Sequence, residues 1–448
     1  MSIVNKACLV GVLCLVALWA GCGDYFRPVV LPIPPIPPNA RNAHAAFVIS
    51  DNGPFNPGTG MQIDVSGDTN VGVANVGRTP VHGTTVPGTT IHIAVANANE
   101  NPSAPEDSVS IFTAASTASS LGVPITVTLA SGSAPVFVTS AESGVVYVAS
   151  RGTPPGVPPS LAVISTVSNA ITQLLTLAAG SNPVALAELP NAQKVYVVEQ
   201  GSNSVVSLNV VDDTLNSPIT DPSINSPVWA VARSDSARVY VLSQGNGDVA
   251  VIDPSTDTLL NPGIPVSVGP GANFMLYDNI LDRLYVTNPV AGTVTILNAS
   301  VDPPAVLATI NLTTGANAQC SGCTPLSVAA LPDGTRAYVA SLQLSGTTAA
   351  PVVTVINALS NTVKKTITLA GVPPIATCEA TRFRLSIAAA GDSTRVYVGN
   401  CDGENVTIIR TSDDSLVFNL PAPVSAANPP PGSTQPPPQN PVFVFAGP

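Results

Sequence analysis

One pattern of apolar and polar positions repeats along most of this chain. The copy around Tyr338 contains four short apolar runs with alternating β-branched residues, separated by Gly, Asp and Asn turns: residues 325–330, 336–340, 353–357 and 363–369. Residues that alternate in this way fit a pleated strand, and the turn residues end each strand. The pattern predicts four β-strands per copy, which we call strands A to D in chain order.

The second run of each copy is built on a Tyr-Val phrase. Its tyrosine recurs in six copies at spacings of 49, 44, 45, 53 and 59 residues: Tyr147, Tyr196, Tyr240, Tyr285, Tyr338 and Tyr397. Phe47 and Ala94 fill the same position in the first two copies. A period of this size with several strands per copy is typical of a β-propeller.

The number of copies predicts an all-β propeller of eight four-stranded blades. The folded region opens on a strand B at residues 45–50 and closes on a strand A at residues 441–445. We therefore expect the last strand A to pair with the first strands B, C and D, because closure removes the free edges of an open array. Seven blades are the alternative, if the weak first copy is an excursion from the ring.

Several phrases resemble a known repeat family. Residues 285–288 read Tyr-Val-Thr-Asn, and residues 251–253 and 331–334 match neighbouring phrases of the same repeat. In these phrases the region from residue 45 to the end resembles YVTN-repeat, YncE-like β-propellers and, more distantly, lactonase-type propellers. The resemblance implies a propeller fold and little about activity, because the matching residues are scaffold. That family usually has seven blades, so eight would depart from it.

Residues 1–21 have the composition of a lipoprotein signal peptide. Lys6 precedes an apolar run over residues 7–20, which is short for a membrane span, and small residues precede Cys22. We predict cleavage before Cys22 and its lipidation, with an ordinary signal peptide cut nearby as the alternative. Gly23 favours an outer-membrane or cell-surface position, where two acyl chains would hold the protein to the membrane.

Composition narrows the classes of partner. Hydrophobic residues make up 45% of the chain and charged residues only 10%, a balance that favours folding over disorder. The formal net charge is −11, and no cluster of Lys and Arg is visible for binding phosphate groups. We expect a monomer with no nucleic-acid partner.

The long connections of the predicted ring share one face. In a propeller the B–C loops and D–A connections lie on one face, and the A–B and C–D turns lie on the other. The B–C insertions are residues 98–108, 152–160 and 342–352, and the D–A insertions are residues 315–324, 371–382 and 423–440. Since long loops on a rigid scaffold often carry binding, we predict a binding site on this long-loop face. Neutral loop drift is the alternative.

The opposite face carries short A–B turns with a repeated Asp-to-Arg pattern, as in Asp333 to Arg336. Turn capping explains this pattern better than an anion site does. The proline-rich residues 22–41 predict a semi-rigid stalk that joins the propeller, residues 42–448, from this short-turn side. We therefore expect the long-loop face, with the proline-rich residues 424–440, to point away from the membrane.

Polar residues follow most strands B and should surround the mouth of the central channel. Amide side chains both donate and accept hydrogen bonds, which suits peptide or glycan recognition, and two arginines flanking Phe383 suit an anion. The candidate binding residues are Asn97, Arg151, Gln200, Gln244, Asn288, Arg382, Arg384 and Asn400. Loop stabilisation by the amides and cross-blade pairing by the arginines are the alternatives.

Four cysteines of the propeller fall on the long-loop side: Cys320, Cys323, Cys378 and Cys401. In an exported chain this number predicts two disulfides. Three pairings are possible, and we favour Cys320–Cys323 with Cys378–Cys401. A four-thiolate zinc site is the alternative.

No catalytic motif appears in a context that would support it. The three histidines, His44, His82 and His92, lie in the first quarter of the chain, where structural roles fit them better. Strands A carry almost no charge, so the channel lacks the titratable cluster expected of a hydrolase. We predict no catalytic residue, cofactor or metal, and an envelope-anchored propeller that binds a protein, peptide or glycan. The alternatives are a lactonase-like hydrolase and a purely structural envelope protein.

Overall fold

The computed structural model describes residues 45–99, 106–115, 121–260, 262, 264–313, 320–379, 381–423 and 438–447. The predicted signal peptide, Cys22, the stalk, His44 and residues 424–437 lie outside these ranges. Within the ranges, no helix is long and apolar enough to cross a membrane.

The described chain forms eight antiparallel blades, which confirms the predicted propeller. Each blade runs from an inner strand A to an outer strand D, and the eight inner strands contact one another in a closed cycle. The alternating β-branched runs become strands because one side of each packs against the next blade and is removed from water.

The first four blades contain strands β1 to β16. Blade 1 begins with β1 (Ala45–Asp51), β2 (Thr59–Asp64) and β3 (Thr69–Asn75). Blade 2 contains β4 (Pro80–Val86), β5 (His92–Asn97), β6 (Ser108–Thr113) and β7 (Ile125–Thr128). Blade 3 contains β8 (Pro135–Thr139), β9 (Val145–Ser150), β10 (Ser160–Ser165) and β11 (Ala170–Thr176). Blade 4 contains β12 (Pro183–Glu188), β13 (Lys194–Glu199), β14 (Ser204–Asn209) and a divided strand D, β15 (Thr214–Leu215) and β16 (Ile219–Thr220).

The other blades contain β17 to β33. Blade 5 contains β17 (Pro227–Ala232), β18 (Val239–Ser243), β19 (Asp248–Asp253) and a divided strand D, β20 (Thr258–Leu259) and β21 (Val266–Ser267). Blade 6 contains β22 (Phe274–Asp278), β23 (Arg283–Asn288), β24 (Thr293–Asn298) and β25 (Ala305–Asn311). Blade 7 contains β26 (Cys323–Ala330), β27 (Arg336–Ser345), β28 (Thr348–Asn357) and β29 (Thr362–Thr368). In blade 8 a short helix, α1 (Ala376–Glu379), precedes β30 (Leu385–Ala389), β31 (Arg395–Asn400), β32 (Asn405–Arg410) and β33 (Ser415–Pro421).

The last strand, β34 (Asn440–Ala446), closes the ring as predicted. It pairs antiparallel with β1, with Phe47 opposite Phe445 and Val48 opposite Val444, and so supplies strand A of blade 1. The rings of Phe47 and Phe445 stack with their centroids 5.5 Å apart. The two ends of the propeller therefore share one sheet, and the eight-bladed count is confirmed over its seven-bladed alternative.

The repeated tyrosine joins neighbouring blades. All six tyrosines are buried, and several hydroxyls donate to the C–D turn of the following blade. Tyr196 donates to Asp257 Oδ1 at 2.6 Å, and Tyr338 donates to Asp414 Oδ1 at 2.5 Å. Tyrosine suits this position of strand B because its ring fills the space between two blades while its hydroxyl reaches a polar partner.

The A–B turns confirm the capping role expected of their aspartates. Asp333 Oδ1 accepts the Thr335 backbone N–H at 2.9 Å within its own turn. Arg336, which follows the turn, instead pairs with Asp414 of the next blade at 2.6 Å. The repeated Asp-to-Arg pattern thus serves turn formation and blade-to-blade pairing.

Removing one inter-blade hydroxyl tests this account. We expect Tyr338→Phe to lower the free energy of unfolding by about 1.5 to 3 kcal/mol, because Asp414 loses a charge-assisted hydrogen bond in a buried position. Tyr397→Phe is the matched control, since the buried Tyr397 hydroxyl has no hydrogen-bond partner among the described residues and should change stability little. Urea denaturation of both variants measures the difference, and equal losses would contradict the account.

Candidate functional site

Most long connections lie on the long-loop face, as predicted, but one predicted loop is a hairpin and one long connection lies on the opposite face. Residues 342–352 were expected to form a B–C loop, but β27 and β28 continue as a paired hairpin, with Leu342 opposite Pro351 and Gln343 opposite Ala350. Cross-strand pairing satisfies the backbone groups that a loop would leave to water. The exception is the connection from β6 to β7, which is the longest on the opposite face.

The D–A connection of blade 8 crosses this face and ends in a segment that we call the plug, residues 381–384. A disulfide joins Cys378, in α1, to Cys401, with Cα atoms 5.7 Å apart. The guanidinium of Arg384 donates to both carboxylate oxygens of Asp402, at 2.7 and 2.9 Å. The Asp402 side chain is fully buried and also accepts the backbone N–H of Ile375. These bonds fix both ends of the plug.

Arg382 extends from the plug across the channel. Its guanidinium donates to the carbonyl of Val184 in blade 4 and, at 2.5 Å, to the carbonyl of Val228 in blade 5. It also lies over the Trp229 ring, 4.8 Å from the centroid. Blades 4 and 5 lie across the ring from blade 8, so one side chain links opposite sides of the propeller.

Arg382 is solvent-exposed, although the inner strands surround it. This crowding displaces water and lowers the pKa of Arg382 to about 10, and the charge of Arg151 acts in the same direction. Arg382 therefore stays charged at neutral pH, in a recess that holds a second positive charge.

Aromatic rings fill the channel beneath the plug. His82 stacks on Phe137 with centroids 3.8 Å apart, and its ring also contacts Phe443 at 4.3 Å. Trp229 contacts Phe137 at 5.4 Å and Phe383 at 5.8 Å. These rings come from four strands A and the plug, so the channel interior is an apolar core below a polar mouth.

His82 is the titratable member of this core. It is buried, and its Nδ1 accepts the backbone N–H of Val138 at 3.5 Å. Burial, together with the smaller effect of the positive charge of Arg382, lowers the pKa of His82 to about 3. The side chain is thus neutral at physiological pH and has the structural role expected for it.

Three candidate amides are buried in their own loops. Asn97 donates to the Ser108 carbonyl and to Ser110 Oγ, and Asn400 accepts the Gly403 backbone N–H. Asn288 accepts two backbone N–H groups and donates to two carbonyls of the preceding connection. These bonds correspond to the loop-stabilising alternative. The Arg384–Asp402 pair lies within blade 8, whereas the alternative for the arginines was a cross-blade pair.

The remaining candidates lie together on blades 3 to 5, where Arg382 ends. Arg151 follows β9 and is exposed, and Gln200 and Gln244 follow β13 and β18 and are partly exposed. A shallow groove of about 580 Å³ lies between blades 4 and 5, and its walls combine polar side chains with apolar surface: Ser202, Asn203, Thr220, Asp221, Pro222, Ile224 and Asn225. This half of the mouth presents two guanidinium groups and two amides to solvent.

The second disulfide joins Cys320 to Cys323 at the start of blade 7, so both disulfides have the favoured pairing. A four-thiolate site would need all four sulfurs as free ligands. Across the described ranges, no group of three or more His, Cys, Asp or Glu side chains is placed to hold a metal ion.

Two parts of the site were not expected from the sequence. Asp402 holds the plug, and its only sequence signal is its place directly after Cys401. The convergence of His82, Phe137, Trp229 and Phe443 also does not follow from the sequence of any one strand, because the four side chains come from different blades. Aromatic residues that recur at the same position of strands A would have been the signal to follow.

Known proteins share the fold of this chain and show no family for it. No protein-family model matches the chain, and no curated protein matches it. Apo AztD from Citrobacter koseri is 12% identical with a TM-score of 0.58, over 90% of this chain and 97% of its own. The periplasmic gluconolactonase PpgL from Pseudomonas aeruginosa is 15% identical with a TM-score of 0.55, over 72% of this chain and 95% of its own. These likenesses support a β-propeller with lactonase-type neighbours, and the YVTN-repeat assignment stays a prediction.

Asp402 offers a test of the plug. We expect Asp402→Asn to lower the free energy of unfolding by about 3 kcal/mol, because Arg384 loses the carboxylate that neutralises it in a largely buried position. Asp413→Asn is the matched control: Asp413 pairs with Arg410 at the surface, where solvent screens an ion pair and leaves it little effect on stability. Equal losses in the two variants, measured by urea denaturation, would show that the plug is not held by this pair.

The neutral His82 predicts sensitivity to acid. The unfolded chain binds this proton near pH 6.5 and the folded chain only near pH 3, so stability is lost as the pH falls between these values. At pH 4.5 the loss due to His82 should be about 2 to 3 kcal/mol.

His82→Leu removes the titrating group while keeping an apolar side chain in the cluster. We expect its stability to fall less than that of the wild type between pH 7 and pH 4.5, as measured by urea denaturation at both values. Parallel losses in the two proteins would exclude His82 as the source.

Proposed function

We propose that this chain is an exported, lipid-anchored binding module of the bacterial cell envelope, whose long-loop face holds a protein, peptide or glycan. The observation that carries the proposal is the fixed, solvent-exposed mouth of the channel. Arg382 is held in place by the plug and ends on strands A of blades 4 and 5, and Arg151, Gln200 and Gln244 follow strands B of blades 3, 4 and 5. Rigid polar groups in a recess bind a ligand without a large cost of ordering them.

The closed interior supports surface recognition over chemistry deep in the channel. His82, Phe137, Trp229 and Phe443 occupy the space below Arg382. A ligand would therefore meet the mouth and the groove between blades 4 and 5. Amides and guanidinium groups offer both donors and acceptors there, which suits peptide backbones and sugar hydroxyls.

Two features support export. The disulfides Cys320–Cys323 and Cys378–Cys401 belong to an oxidising compartment, and residues 1–22 have the pattern of a lipoprotein signal. The described chain enters β1 at Ala45, next to the short-turn end of β34. A stalk joined there would leave the long-loop face directed away from the membrane.

Capture from an envelope extract tests the proposal when matched loop variants are compared. We expect the full chain to retain a partner that is lost when residues 424–437, in the D–A connection before β34, are replaced by a Gly-Ser segment of the same length. The control replaces residues 116–120, which connect β6 to β7 in the sequence, in the same way. Arg151→Ala should also reduce capture.

The two loop variants decide between faces. Loss only in the 424–437 variant supports the long-loop face, whereas equal capture by both variants, or loss only in the control, contradicts it. PpgL is called a gluconolactonase, so glucono-1,5-lactone is the substrate to assay alongside. Turnover of this lactone that disappears in Arg382→Gln would replace the binding role with the hydrolase alternative.

A further inference from the structure

Two arginines at the channel mouth lack an acidic partner. In the described ranges most arginines pair with a carboxylate, and these are Arg233, Arg238, Arg336, Arg384, Arg395 and Arg410. Arg78 and Arg283 have no such pair in these ranges, and Arg283 donates instead to Asn361 and to a backbone carbonyl. Arg151 and Arg382, the two at the mouth, also have no carboxylate within ion-pair distance among the described residues. Two cations without counterions thus share one recess in a chain whose net charge is −11.

Arg382 also has hydrogen-bonding capacity left over. A guanidinium carries five N–H donors, and two of those of Arg382 reach the carbonyls of Val184 and Val228. The others have no acceptor among the described residues. Arg151 has its backbone N–H bonded to the Ala134 carbonyl, while its side chain has no described hydrogen-bond partner.

Two acids near this part of the mouth differ in how far they are engaged. Asp402 is neutralised by Arg384. Glu199, at the end of β13, is buried; its Oε2 accepts hydrogen bonds from Ser202 and Ser204, whereas its Oε1 has no hydrogen-bond partner among the described residues. Neither acid forms an ion pair with Arg151 or Arg382, so an anion supplied by a ligand would meet two positive groups with free donors.

We infer that the mouth binds a carboxylate group of the ligand between Arg151 and Arg382, with Gln200 and Gln244 donating to the atoms beside it. The planar fork of arginine matches the two oxygens of a carboxylate. Acidic peptides and uronic-acid glycans share this group. The inference rests on the proposed binding role and names the chemistry that the ligand must carry.

The low pKa of Arg382 agrees with this arrangement. Crowding and the neighbouring charge of Arg151 lower it to about 10, so a bound anion would relieve an electrostatic cost that the free protein carries. Binding should weaken as salt is added, because part of the attraction is between exposed charges.

Trp229 provides the readout. The chain has two tryptophans, so in the full chain carrying Trp19→Phe the only tryptophan lies directly beneath Arg382. The probes are galacturonate against galactose, and N-acetyl-aspartyl amide against N-acetyl-asparaginyl amide. The first pair represents a glycan source and the second a peptide source. In each pair only the first member carries a carboxylate.

We expect a saturable change in Trp229 emission with one or both carboxylate probes and none with their neutral partners. Arg382→Gln and Arg151→Gln should each weaken the affinity roughly tenfold or more. Arg410→Gln, on the opposite face and paired with Asp413, should leave it unchanged. Arg151 is exposed, so its variant keeps the test valid if Arg382→Gln fails to fold, as judged by circular dichroism.

Equal responses to charged and neutral probes, unchanged affinity in both mouth variants, or tighter binding of inorganic phosphate than of either carboxylate would overturn the inference. These outcomes remain distinct from failure of the proposed function. If no probe binds but partner capture still depends on residues 424–437, the binding role stands and the carboxylate assignment fails. If carboxylates bind but neither loop replacement changes the amount of partner captured, the proposed binding of a protein, peptide or glycan through the long-loop face fails instead.

Discussion

The pairing of β34 with β1 is the constraint on which the rest of the structure depends. A ring of blades has no free edge only when its first and last strands share a sheet, and this chain achieves that with residues about 400 positions apart. Closure sets the number of blades, and the number of blades sets the width of the channel. The width in turn decides that a long arginine side chain is needed to reach from blade 8 to blades 4 and 5.

Much of this architecture could be predicted because every blade packs against its neighbours in the same way. Each copy must bury one ring between neighbours, so the tyrosine position recurs, and each strand must end in a turn, so Asp, Asn and Gly recur with it. The shifted frame, opening on strand B and closing on strand A, followed from the same count. The β27–β28 hairpin does not follow from the repeat. Its turn signal, Ser345-Gly346, lies beyond the usual end of strand B, and Pro351 argues against an extended strand C.

The site was only partly predictable, because its contacts join blades that are distant in sequence. Because Arg151, Gln200 and Gln244 each follow a strand B, the sequence places them on the long-loop face. The same position is shared by Asn97 and Asn288, whose side chains bond within their own loops, and the sequence does not distinguish the two groups. The reach of Arg382 to Val228 depends on the diameter of the closed ring. No local pattern encodes that distance.

Arg382 also changes how the propeller holds together mechanically. Blades that touch only their neighbours form a circular version of a repeat array, in which a disturbance fades from one unit to the next. A side chain that reaches from blade 8 to blades 4 and 5 connects two opposite parts of the ring directly. A displacement of the α1 connection at Cys378 would thus change the contact at Val184 without first displacing the blades between them.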